Sequence, residues 1–172
     1  MSYFASTIVS VQSGSITIAN GGFGAAQALP NPVNPASSVL RFLGASQSNG
    51  GSGDSFALLT FTSTTVTATR LTNTGNLIVK FQVFEHRARF IRTIQAGTIT
   101  LAGVTSNTAT VSAVDTTKAE LIWLGCRTSD NVSGNGQNWW VNITLTNATT
   151  ITATMGAALA TAIVSYLLVE FK

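Results

Sequence analysis

The chain states the same pattern twice in the same order. Val11-Gln-Ser-Gly-Ser-Ile-Thr-Ile18 reappears as Ile94-Gln-Ala-Gly-Thr-Ile-Thr-Leu101, which sets Gln12 against Gln95 and Gly14 against Gly97 at an offset of 83 residues (95 − 12). Val33-Asn34 then matches Val114-Asp115, and Leu40-Arg-Phe-Leu-Gly44 matches Leu121-Ile-Trp-Leu-Gly125 at an offset of 81 (125 − 44). Thr64 to Thr69 returns as Thr149 to Thr154, and Ile78 to Glu85 as Ile163 to Glu170, both at an offset of 85 (149 − 64; 170 − 85). Five blocks in one order exclude chance, and small loop insertions explain the drift. A period of this size means that each copy is a structural unit.

The 172 residues therefore divide into units of roughly 85 residues, each large enough for a modest core. The expected domains are residues 1–87 and residues 88–172. Charged residues make up only 9% of the chain against about 25% in a typical soluble domain, while apolar residues make up 45%. Such a surface has weak protection against self-association, so neighbours are expected to cover much of it. The formal charge of +3 is small and scattered, and its one cluster, His86, Arg87, Arg89 and Arg92, falls at the junction of the repeats. That cluster reads first as a solvated linker or a local partner of Glu85, then as an interdomain or intersubunit anchor. Nucleic acid ranks last, because it requires a broader basic footprint.

Cys126 is the only cysteine, which excludes an intrachain disulfide and a cysteine-based metal centre. The opening Met1-Ser-Tyr-Phe-Ala-Ser-Thr7 has neither the basic nor the apolar region of a signal peptide, so folding in a cytoplasm is expected. The sequons at Asn131, Asn142 and Asn147 then carry little weight in a chain this rich in Asn and Thr.

Most segments read as short strands. Ser15 to Ile18, Thr65 to Thr69, Thr108 to Val111 and Asn142 to Leu145 alternate with period two and are rich in β-branched residues. Gly21-Gly22, Asn49 to Gly53 and Ser133 to Gly136 supply turns between them. About six strands per repeat are expected. The fold class is all-β: two tandem small antiparallel β-sandwich domains of similar topology, jelly-roll or immunoglobulin-like. The run from Gly156 to Val169 looks helical and membrane-like, but it is shorter than the roughly 18–20 apolar residues of a span. Its match to the alternating Ile78 to Glu85 makes it a buried final strand, and no membrane is expected as a partner.

Pro30, Pro32 and Pro35 are the only prolines and share one loop of the first repeat. They leave the sheet, since proline cannot donate to a ladder. The loop is either a shaped connection or a stiff protruding contact. Acidic residues are few: Asp54, Glu85, Asp115, Glu120, Asp130 and Glu170, with one histidine. Glu85 and Glu170 are equivalent, as are the glycine-rich turns of Asp54 and Asp130, and such symmetry suits fold maintenance better than catalysis. An enzyme is not expected, nor any cofactor or metal. Gly50 to Gly53 lacks the lysine and the strand-to-helix context of a phosphate loop. Trp139 and Trp140 are adjacent, so on a strand one indole faces the core and the other faces out as a protein contact, a glycan platform or a half-buried ring.

The second repeat resembles a recurrent module of tailed-bacteriophage virion proteins. The residues that carry the resemblance are Gln95 to Thr100, Val114-Asp115-Thr-Thr-Lys118, Leu124-Gly125, Leu145 to Thr154 and Val169-Glu-Phe171. The first repeat departs from the pattern in its proline loop, in lacking the Leu-Thr-Asn segment and in ending Phe84-Glu-His86. The resemblance implies a virion structural protein that designates no catalytic residue and is folded in the host cytoplasm before assembly. A capsid decoration or cement protein, bridging capsid subunits, is the first expectation; a tail, neck or short-fibre component that touches a host glycan is the alternative. Its partners would be the major capsid protein or tail and neck proteins, with self-association, a trimer for instance. The candidate contact residues are Pro30, Pro32, Pro35, Arg87, Arg89, Arg92, Trp139 and Trp140.

Overall fold

The computed structural model of the chain describes residues 7–48, 56–129, 140–158 and 161–172. It is all-β with antiparallel sheets. Among the described residues, twelve strands fall into two sets of six. The first set is β1 (Ile8–Ile18), β2 (Gly24–Ala28), β3 (Ser38–Ser48), β4 (Leu58–Phe61), β5 (Thr65–Thr69) and β6 (Asn76–His86). The second is β7 (Ile91–Leu101), β8 (Ser106–Thr110), β9 (Ala119–Thr128), β10 (Asn142–Asn147), β11 (Thr150–Thr154) and β12 (Ala162–Phe171).

Strand order repeats with the sequence. The order β1-β6-β3 in the first set corresponds to β7-β12-β9 in the second, and β2-β5-β4 corresponds to β8-β11-β10. One link crosses the boundary: β4 pairs with β9 at Leu58 opposite Gly125, which joins two of these sheets into a six-stranded sheet, β2-β5-β4-β9-β12-β7.

The repeated residues account for the repeated geometry. Gln12 donates from Nε2 to the Asn31 carbonyl at 2.9 Å and accepts from the Asn31 amide at 3.0 Å. Gln95 does the same to Ser112, at 2.9 and 2.7 Å. Each glutamine thus supplies the backbone partners that a loop leaving a sheet would otherwise lack. Glu85 accepts from the Asn34 amide and Glu170 from the Asp115 amide, both at 3.0 Å. Asn34 and Asp115 in turn accept from the amide two residues ahead, the Asx turn that opens the next strand.

The C-terminal run is strand β12, and its side chains divide between two cores. Ala162, Val164, Tyr166 and Leu168 belong to the second repeat's own core. Leu167 and Val169, on the opposite face, join a core built mainly from the first repeat, together with Ile91, Ile122 and Leu124. A strand buried on both faces reads as a continuous apolar run, and β12 does. Its counterpart β6 alternates buried Leu77, Val79, Phe81 and Val83 with Ile78 and Lys80, which face solvent.

Arg70 is a feature that the repeat pattern does not announce. It is 1% exposed and donates to four backbone carbonyls, those of Gly22, Thr74, Ala19 and Gly75, at 2.9–3.1 Å. It ties the β1–β2 turn to the β5–β6 turn. Met155, which follows β11 as Arg70 follows β5, fills the corresponding place in the second repeat with apolar volume.

Candidate functional site

The two repeats meet through side chains that are one another's counterparts. Phe42 on β3 lies edge-on to Trp123 on β9, with ring centroids 5.2 Å apart. Phe56, just before β4, lies edge-on to Trp140, just before β10, at 5.0 Å. His86 at the end of β6 lies edge-on to Phe171 at the end of β12, at 6.1 Å. Equivalent positions of the two repeats therefore touch at three places along the junction. Arg41 and Glu120 form an ion pair across it at 2.8 Å, with both side chains about 40% exposed and hence little net energy.

The junction is closed at Gly125 and not at its counterpart Gly44. Gly125, at a bulge in β9 with φ +98°, receives the backbone of Ala57 and Leu58. A Cβ there would come within 3.0 Å of Leu58 Cα and closer still to the Ala57 carbonyl oxygen. Gly44, its counterpart in β3 with φ +120°, has no described residue within 4 Å of the same position. A cavity of about 260 Å³ lies at the junction, lined by Phe42, Gly44 and Ala45, by Phe56 and Ala57 ahead of β4, and by Trp123, Cys126 and Trp140. A second cavity of about 340 Å³ adjoins it and shares Trp123 and Trp140, with Asn142 at its rim.

The indoles have distinct tasks. Trp123 donates from Nε1 to the Val141 carbonyl at 3.1 Å, which satisfies its polar atom and pins β9 to the start of β10. Trp140 is 55% exposed and lies 6.0 Å from Trp123. Trp139 lies outside the described residues, as do Asp54 and Asp130. Phe42, Phe56 and Trp123 were not singled out as site residues; a repeated aromatic at the same strand-end position is the signal that would have found them.

The remaining candidates sit elsewhere. Pro30, Pro32 and Pro35 are exposed, but the 3-10 turn that Pro35 begins lies against β7, so this loop lies between the two repeats. Arg87, Arg89 and Arg92 are exposed. Arg89 stacks over the neighbouring Phe90 ring at 4.9 Å, and Arg92 reaches the buried Glu170 carboxylate at 3.6 Å. Of the basic cluster, Arg92 thus meets a buried carboxylate, while its own side chain stays exposed.

Cys126 borders the 260 Å³ cavity, and burial pushes its thiol up to about 11. Such a thiol is protonated at neutral pH and a poor nucleophile. His86 is held below its ordinary value by burial and then by the Arg41 charge, with Glu120 opposing. Among the described residues no three His, Cys, Asp or Glu side chains are grouped as a metal site. No described helix is long and apolar enough to cross a membrane. Among the described residues the junction offers shape and aromatic surface. The chain matches no protein-family model, no curated protein and no solved structure.

Proposed function

We propose that this is a non-enzymatic bacteriophage virion structural protein, acting as a capsid decoration or cement protein that binds across subunits of the shell. The resemblance of the second repeat to phage virion modules supplies the setting, and one structural observation carries the assembly reading. Val11, Leu43 and Ile78, on the face of β1-β6-β3 turned away from its core, are 48%, 55% and 38% exposed. Leu124, the counterpart of Leu43, is 2% exposed, and Ile94, the counterpart of Val11, packs against the first repeat's core. One repeat's apolar face is covered by the other repeat, while the same face of the first repeat is bare. Exposed apolar surface of this kind marks a contact. A partner that binds only the assembled shell stabilises it by mass action.

The partners on this reading are the major capsid protein and further copies of the chain, in a virion, after folding in the host cytoplasm. Neither cofactor nor nucleic acid enters it. The exposed Trp140 beside Asn142 favours a second reading, a tail, neck or short-fibre component that stacks a host glycan on that indole.

The experiment is co-sedimentation of the purified protein with empty capsids, followed by cryo-electron microscopy of the intact particle. Regular density over the capsomers, with binding lost in Leu43→Lys, is the expected outcome. Density confined to the neck or tail, or protection of Trp140 fluorescence by added saccharide, would replace decoration with the second reading.

A further inference from the structure

We infer that the pole of the molecule where the chain passes from one repeat to the other is a docking surface for a protein segment that carries carboxylates beside apolar side chains. It rests on the assembly reading above and supplies the chemistry of the partner, which that reading leaves open.

Exposed charge is scarce on this protein and is gathered in one place. Among the described residues the exposed charged side chains are Lys80, Arg87, Arg89, Arg92, Asp115, Lys118 and Lys172. All but Lys80 sit at this pole, where backbone bonds hold their segments together. The Arg87 amide donates to the Thr7 carbonyl, and the Arg87 carbonyl accepts from the Phe90 amide, both at 2.9 Å. The Lys172 amide donates to the Phe90 carbonyl, the Phe171 amide to the Lys118 carbonyl and the Lys118 amide to the Asp115 carbonyl, each at 3.0 Å. Five cations thus stand on one fixed frame. Lys80, opposite Ser15 and Gly44, lies away from it.

The carboxylates of the pole are already engaged. Buried Glu170 bonds the Asp115 amide at 3.0 Å and meets Arg92 at 3.6 Å. Half-buried Glu85 accepts from the Asn34 amide and the Ser10 hydroxyl. Asp115 accepts from the amide and hydroxyl of Thr117; these bonds, and after them the Lys118 and Arg92 charges, hold its carboxyl below its ordinary value. Five cations against three carboxylates leave an excess of two positive charges (5 − 3), and the exposed groups are nearly all positive.

Bare aliphatic side chains border the cations. Ile8 stands opposite His86, and Ile8 and Val9 are 36% and 59% exposed. The loop of exposed Pro30, Pro32 and Pro35 reaches the same rim, since Glu85 holds Asn34 two residues from Arg87. Nucleic acid asks for an unbroken cationic track and for free rings on which bases stack. The rings here are half-buried and taken, Phe90 by Arg89 at 4.9 Å and Phe171 by His86 at 6.1 Å. A protein segment answers both features: its carboxylates meet the guanidinium forks, and its apolar side chains cover Ile8 and Val9. Exposed ion pairs add little affinity each, so the charges set orientation and approach while the apolar rim contributes binding.

The test uses the intact protein and two labelled synthetic peptides of equal charge, one of repeated Glu-Ser-Leu and one of repeated Glu-Ser-Ser. Fluorescence anisotropy should show saturable binding of the first, at least tenfold tighter than the second and weakening as salt is raised. The double variant Arg89→Glu, Lys172→Glu should lose at least tenfold in affinity, while Lys80→Glu should bind as wild type does. Lys118→Glu gives an independent check should the double variant fold poorly, and Val9→Ser should abolish the preference for leucine. Absence of saturation at millimolar peptide would overturn the inference, as would an equal loss in Lys80→Glu. Tighter binding of a thymidine oligonucleotide of the same charge would overturn it too and assign the pole to nucleic acid. If the peptides fail to bind while the double variant still sediments with capsids, the pole falls and the decoration reading stands; if the peptides bind as expected and capsids do not take up the protein, decoration falls and the pole stands.

Discussion

Phe81 lies across the strand from Gly14, with its ring where a side chain on Gly14 would stand. A Cβ at Gly14 would approach Phe81 Cε1 to 2.7 Å, and one at Gly97 would approach Tyr166 Cζ to the same distance. The pairs are equivalent in register, Gly14 opposite Phe81 and Gly97 opposite Tyr166. An aromatic ring covering a cross-strand glycine both fills the gap and shields the backbone. Gly14→Ala and Gly97→Ala should each destabilise the protein by about 1–3 kcal/mol through overpacking. Urea unfolding measures this, and a change below about 0.5 kcal/mol in both variants would refute the packing account.

Arg70 should be indispensable although no carboxylate pairs with it in the structure described. Its guanidinium satisfies four carbonyls in two turns, and Arg70→Met would leave them without that partner while matching the residue at Met155. The expected cost is about 2–4 kcal/mol, from unsatisfied buried acceptors. Lysine cannot reproduce the planar fork, so Arg70→Lys should recover little. Thermal and urea midpoints of the two variants test this, and equal stability of Arg70→Met and wild type would show that water replaces the guanidinium.

The repeat made the strand count and the antiparallel all-β class legible, because Gln12, Gly14 and Glu85 recur where the fold reuses the same bonds. The continuous apolar run of β12 against the alternation of β6 even encodes which strand is covered on both faces. The junction was less legible. Phe42, Phe56, Trp123 and Trp140 are scattered along the chain, and only the packing of one repeat on the other brings them together. The Gly44–Gly125 match was visible, but the difference between them is set by the β4 backbone at one glycine and open space at the other. Arg70 was hidden for a further reason: its partners are backbone carbonyls, which leave no trace in side-chain patterning.

Cys126 gives the pH dependence. Its thiol moves from 9.0 to about 11 because burial penalises the thiolate. In the unfolded chain the thiol releases its proton near its ordinary value, so above that pH the unfolded state binds fewer protons than the native state. The contribution is fully present below pH 9 and is lost as pH rises towards 11. Urea midpoints should therefore fall across this window more steeply for wild type than for Cys126→Ala. Iodoacetamide at pH 8 should alkylate the thiol only in unfolded protein, and rapid labelling of the native state would show that the site is open.

The bulge glycines allow the asymmetry of the junction to be measured inside one molecule. Both have positive φ, so alanine at either position meets comparable backbone strain, about 1 kcal/mol. Only at Gly125 does the new methyl also collide with the Ala57 carbonyl, and that backbone is held in place by the strand pairing at Leu58. Displacing it requires β4 to part from β9 and the buried Leu124 to lose cover. Gly125→Ala should then cost about 3 kcal/mol and Gly44→Ala about 1 kcal/mol. Equal losses would mean that β4 yields without resistance, and that the closed side of the junction is no tighter than the open one.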